Sequence, residues 1–114
     1  MLTIDKLKEL GADTESGINR CVGNEDFYLK IVGMVLNSGD FDALKEAIDN
    51  GDLDTGFEKA HALKGIVSNA SLDNLLAPVV EITEHLRARE DMDYAPLVDA
   101  IFSELDKYRQ LAQD

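Results

Sequence analysis

At 114 residues, 45% of them hydrophobic, the chain has the size and apolar content for one modest core, which counts against a disordered tail or a scaffold that leans on disulfides or metal. Its net charge of −12, from 23 acidic against 11 basic residues with no basic run, counts against a nucleic-acid surface or an anionic membrane as partner. The one cysteine, Cys21, has no internal partner. No apolar leader and no run near the ~20 apolar residues of a membrane span are present, so the expectation is a reduced, cytoplasmic setting.

Taken in chain order, glycines and capping residues divide the sequence into helices. Leu2 to Leu10 reads as a short amphipathic helix stopped by Gly11, and Thr14 to Val22 as a second short piece stopped by Gly23. Asn24 caps a longer element, with Phe27, Ile31 and Val35 stepping by four and Tyr28, Val32 and Leu36 beside them, closed at Gly39. Asp40 opens the next, with Phe41, Leu44 and Ile48 on one face and Gly51 at its end. Behind Asp52, the residues Leu53, Phe57, Ala60, Leu63, Val67 and Ala70 form a core-facing stripe. Ser71 is the expected cap of a helix carrying Leu72, Leu75, Leu76, Val79, Ile82 and Leu86. Pro78 conflicts with that helix, which therefore kinks near Asn74 or starts later. A last helix begins after Asp93, with Pro96 in a tolerated early position and Leu97, Ile101, Leu105, Tyr108 and Leu111 as its stripe.

No stretch alternates with period two. The fold expected is therefore all-α: one domain over residues 1–114, an antiparallel four-helix bundle preceded by short N-terminal helices.

Only two histidines are present. His85 sits among charges in EITEHLRARED and reads as solvated surface. His61 lies in FEKAHALKGIVSNAS; with ~100° per residue it falls about 110° from the centre of its stripe, on the rim of the buried face. Glu58 and Gly65 lie further toward solvent, while Lys64 and Ser68 share the His61 flank.

Three readings of His61 compete. One is a plain surface histidine. A second is a metal ligand, since Glu58-x-x-His61 has the spacing of carboxylate-bridged di-iron bundles, but Ile82 precedes His85 where the second pair needs an acid, so no metal is expected. The third is a nucleophile toward phosphorus. Imidazole, with an ordinary pKa of about 6.5, is largely neutral near pH 7 and attacks an activated phosphoryl group without a separate base. Lys64, one turn along, can neutralise the transferring oxygens. Gly65 costs a helix interior about 1 kcal/mol against alanine, a cost offset if it leaves room for a partner to approach the ring.

AHALKG, Ala60 to Gly65, resembles the His-x-Leu-Lys-Gly signature of histidine-containing phosphotransfer domains, which relay phosphoryl groups between receiver domains in two-component signalling. Asn24-Glu25-Asp26 followed by FYLKIVGMVL, and FDALKEAIDNGD after it, are similar to the family's helices before the signature. The resemblance implies His61 as phosphoacceptor through Nε2 and Lys64 as the phosphate-stabilising cation. It implies Gly65 as the residue that admits the partner, with Glu58, Ala62 and Ser68 as further contacts and Val32 and Leu36 as neighbours. Asn69 matches a common family asparagine, whereas Ser71 stands where glycine is usual.

It also implies a monomeric carrier rather than an enzyme, with no cofactor of its own. Its partners would be receiver domains of response regulators or hybrid histidine kinases, which bring the Mg²⁺. Kinase and response regulator are expected elsewhere, because the chain carries neither an ATP-binding motif nor a receiver-type acidic pocket. The alternatives are a degenerate member used only as a docking adaptor, for which Ser71 is the main support, and an unrelated acidic helical bundle that binds proteins. Cys21 and the three tyrosines read as packed residues, the tyrosine hydroxyls reaching water.

Overall fold

The computed structural model describes residues 1–113, and among these it is all-helical, with 76% helix and no strand. Seven helices follow in order: α1 (Ile4–Glu9), α2 (Thr14–Arg20), α3 (Glu25–Leu36), α4 (Asp40–Asp49), α5 (Leu53–Asn69), α6 (Asp73–Arg87) and α7 (Ala95–Gln113). No helix is long and apolar enough to cross a membrane among the described residues.

Side-chain caps set most of the starts. Thr3, Asp13, Asn24 and Asp52 each accept a backbone N–H from the first turn of α1, α2, α3 and α5, at 3.0–3.2 Å. Each such bond satisfies a donor that the helix cannot, and is worth about 1 kcal/mol.

The end of α5 departs from expectation. Ser71 does not cap α6; it sits at φ 56°, one residue past the α5 C-cap, and Leu72 precedes α6 without a side-chain cap bond. Ser71 N–H donates to Ser68 O at 3.0 Å and Leu72 N–H to Val67 O at 3.3 Å, a Schellman closure that needs a left-handed residue. Gly51 does the same job after α4 at φ 70°. Serine at this position carries a steric cost of roughly 1–2 kcal/mol that glycine lacks. Three contacts hold it there: Ser71 O accepts Asp13 N–H at 2.9 Å, and the Arg20 guanidinium donates to Ser71 Oγ at 3.0 Å and to Ser68 O.

The α6 helix runs unbroken through Pro78 from Asp73, so it does not start later. Proline there deletes one backbone bond at about 3 kcal/mol. Four fully buried apolar side chains on the same helix, Leu75, Val79, Ile82 and Leu86, outweigh that cost at about 1.5–3 kcal/mol each.

The helix α5 packs along α4 on one side and α6 on the other, α6 packs on α7, and α7 touches α3 and α4. One core results, with Leu63 and Val67 of α5, Phe41 and Leu44 of α4, and Ile101 and Leu105 of α7 fully buried. On α3 the buried set is Tyr28, Val32, Val35 and Leu36, whereas Phe27 stands 48% exposed.

Tyr28 and Tyr108 are fully buried, so their hydroxyls do not reach water as expected. Tyr28 donates to Ala70 O at 2.7 Å, Tyr94 to Glu90 O at 2.7 Å, and Tyr108 to Leu10 O at 3.5 Å. Burial pushes Tyr28 and Tyr108 from an ordinary 10.0 up to about 12. A raised folded-state value leaves stability intact below the unfolded value and removes it as pH rises. The loss therefore falls between pH 10 and about 12, where the unfolded chain releases protons that the folded chain retains. Two units correspond to about 2–3 kcal/mol for each tyrosine. Urea melts across this window should show steep alkaline destabilisation, shallower in Tyr28→Phe; a flat profile would contradict the burial of both phenols.

Candidate functional site

The site is a stretch of the solvent-facing side of α5, held between two neighbours. Asp52 caps the helix, and hydrogen bonds from Thr55 hold its carboxyl below the usual value. Ala60, Leu63 and Val67 are fully buried, which locks the rotation of α5 about its axis. His61, Glu58, Ala62 and Gly65 are then exposed, while Lys64 and Ser68 are half-buried. All six residues singled out from the sequence lie along this one helix, off its buried stripe.

The ion pairs nearest the site are made by other residues. Lys59 meets Asp40 at 3.7 Å, and Asp54 meets Arg89. Among the described residues no ion pair takes up the imidazole of His61 or the ammonium of Lys64. In a helix, side chains lean toward the N-terminal end, so Lys64 is directed over the His61 turn and His61 over Phe57. The second of these contacts is present. The Phe57 and His61 rings stack with centroids 5.6 Å apart and planes 29° from parallel, and the Arg87 guanidinium lies 5.0 Å from the Phe57 centroid.

At Gly65 the helix surface is bare. A Cβ built there would meet no atom within 4 Å, so neither packing nor a turn requires glycine at this position. Gly65→Phe is accordingly expected to spare or raise helix stability, by roughly 0.5 kcal/mol at most on propensity, in a thermal melt. A sharp fall in stability would show that the glycine serves packing.

Ile66 follows Gly65 and, with Asn69, faces Ile31, Met34 and Val35 of α3 across a mostly apolar groove of about 440 Å³. Val32 and Leu36, expected to border the site, are buried at 0% and 2% exposure and cannot meet a partner. Ile31 and Met34, on the neighbouring face of α3, take that place. Two parallel stripes on α3 fit the periodicity equally, and packing against α2 and α7 selects between them.

No protein-family model, curated protein or solved structure matches the chain.

His85 is less solvated than its flanks suggest. Its ring is 32% exposed, with Nδ1 at 2.7 Å from Glu90 Oε2 and Nε2 at 3.9 Å from Glu81. Cys21 is half-buried at the C-cap of α2, packed against the core. Among the described residues no group of three or more His, Cys, Asp or Glu side chains is gathered for a metal. Phe57 and Arg87 beside the imidazole, and Ile31, Met34 and Ile66 in the groove, were not singled out from the sequence as site residues. An aromatic residue four places before a histidine, on one helix, was the available signal.

Proposed function

We propose that the chain is a phosphorelay carrier of the histidine-containing phosphotransfer type, with His61 as the phosphoacceptor. The observation that carries this reading is an exposed imidazole, free of ion pairs among the described residues, one turn from an unpaired lysine and beside a glycine with open space above it. The architecture that goes with it is an antiparallel four-helix bundle. Helix contacts run from α4 to α5, α6 and α7 and return to α4, with α3 extending the fourth position along α7.

The chemistry needs few groups. The partner presents an aspartyl phosphate; the Nε2 lone pair of neutral His61 attacks phosphorus while the proton stays on Nδ1. The N–P bond forms as the acyl O–P bond breaks, and the aspartate leaves as a carboxylate. The Lys64 ammonium offsets charge on the equatorial phosphoryl oxygens. Return to a second receiver is the same step reversed, since the product ring is a good leaving group. Mg²⁺ belongs to the receiver in this scheme, and the chain contributes no cofactor.

The groove between α3 and α5 offers the receiver an apolar footing next to Gly65, with Ile31, Met34 and Ile66 in reach. Glu58, Ala62 and Ser68 extend that surface along α5. Ser71 was the main ground for a degenerate adaptor, yet it holds the left-handed turn that closes α5, so the substitution leaves the helix junction intact.

The test uses receiver domains phosphorylated with acetyl phosphate and Mg²⁺, incubated with the protein. Acid-labile, alkali-stable label on histidine supports the carrier reading, and receiver binding without label would favour an adaptor. Gly65→Phe should abolish the transfer while remaining folded.

A further inference from the structure

We infer that Phe57 is a positioning residue for His61, holding its ring by aromatic stacking, and that Arg87 of α6 holds Phe57 in turn. The inference rests on the carrier reading for its consequence in transfer, but the stacking itself stands on geometry alone.

His61 is exposed and has no ion pair among the described residues, so nothing polar in that set fixes its rotamer. A free surface imidazole would sample its staggered χ1 wells, only some of which present Nε2 outward. Phe57 is half-buried and packed against the core, so it is itself ordered. Its ring lies four residues before His61, where a helical side chain leans, and the two rings stack at 5.6 Å and 29°. This separation is within the range of favourable offset aromatic pairs. The imidazole therefore gains a preferred orientation without hydrogen bonding either nitrogen, and both remain free for proton and phosphoryl group.

Arg87 supplies the second half of the device. Its guanidinium stands 5.0 Å from the Phe57 centroid and is oriented by Glu84 at 3.4 Å. Cation and aromatic face attract each other. Phe57 is thus steadied by α6, which ties the orientation of the acceptor ring to the α5–α6 contact. A carboxylate clamp on the ring, such as Glu90 provides for His85, would instead occupy one nitrogen.

The experiment compares wild type, Phe57→Leu, Phe57→Tyr and Arg87→Met as unphosphorylated protein by NMR, and then as acceptors from phosphoramidate. That small donor needs no receiver: its P–N bond breaks, releasing ammonia, as the Nε2–P bond of His61 forms. In Phe57→Leu the His61 ring protons should lose their ring-current shift, and the His61 Hα–Hβ couplings should move toward rotamer averaging. Labelling should slow about twofold, the factor for releasing one held rotamer among the two χ1 wells that a helix allows. Phe57→Tyr should restore all three readouts, and Arg87→Met should move each part-way. Unchanged His61 shifts and couplings in Phe57→Leu would overturn the inference, as would failure of Phe57→Tyr to restore them in a folded protein. Unchanged values in Arg87→Met would reject the role of Arg87. If receivers transfer nothing while the NMR differences stand, the carrier reading fails and the stacking remains.

Discussion

His61→Gln is expected to remove phosphoryl acceptance completely while the protein stays folded. The side-chain amide has no nucleophilic lone pair on nitrogen, so no N–P bond can form. The fold has little to lose, because His61 is exposed and makes no ion pair among the described residues. Glutamine is at least as good a helix former as histidine. Only the stack on Phe57 is given up, at about 0.5–1 kcal/mol. Radiolabel transferred from a phosphorylated receiver should fall to background, with the thermal melt nearly unchanged. Label should not move to His85, whose ring is partly covered and held against Glu90 at 2.7 Å. Lys64→Ala retains the nucleophile and loses a charge-assisted contact to the transferring group, so transfer should slow roughly tenfold, equivalent to about 1.4 kcal/mol. Undiminished histidine label in His61→Gln would send the assignment elsewhere.

Gly17→Ala is expected to destabilise the protein although alanine is the better helix former. Gly17 of α2 packs directly on the Tyr28 ring, and an added Cβ would lie 2.2 Å from Cε1, 2.7 Å from Cζ and 2.9 Å from Cδ1. The ring has nowhere to go. Tyr28 is fully buried, and its hydroxyl is tied to Ala70 O at 2.7 Å across the molecule. Overpacking of this kind costs typically 1–3 kcal/mol and more where the neighbour is rigid, against about 1 kcal/mol gained from helix propensity. A net loss of about 2 kcal/mol should lower the melting midpoint by roughly 10 °C. Gly65→Ala is the matched control, gaining stability because its Cβ meets open space. A Gly17→Ala protein as stable as its parent would contradict the close approach of α2 to α3.

The contrast between these glycines shows how far local pattern reaches. Both lie inside helices, and both carry the same propensity cost in the sequence. One is required by a tyrosine eleven positions away on another helix, and the other by nothing inside the molecule. Ser71 makes the same point. As a serine before a hydrophobic run it reads as an N-cap, yet the left-handed turn closing α5 takes it, because Arg20 and Asp13 from α2 bond to it there. Pro78 reads as a helix breaker, and burial of the apolar face of α6 overrides it.

Sequence alone determined the helical class, the sequence of helical segments, the caps Asn24 and Asp52 and the placement of His61 on the rim of α5. These follow from periodicity and from donors and acceptors only a few residues apart. Tertiary structure decided which of two stripes on α3 is buried, where the tyrosine hydroxyls bond, that Ser71 closes one helix instead of opening the next, and that Phe57 and Arg87 stand beside the imidazole. Each of those outcomes depends on atoms from different helices competing for the same space, and no spacing within one helix records who wins.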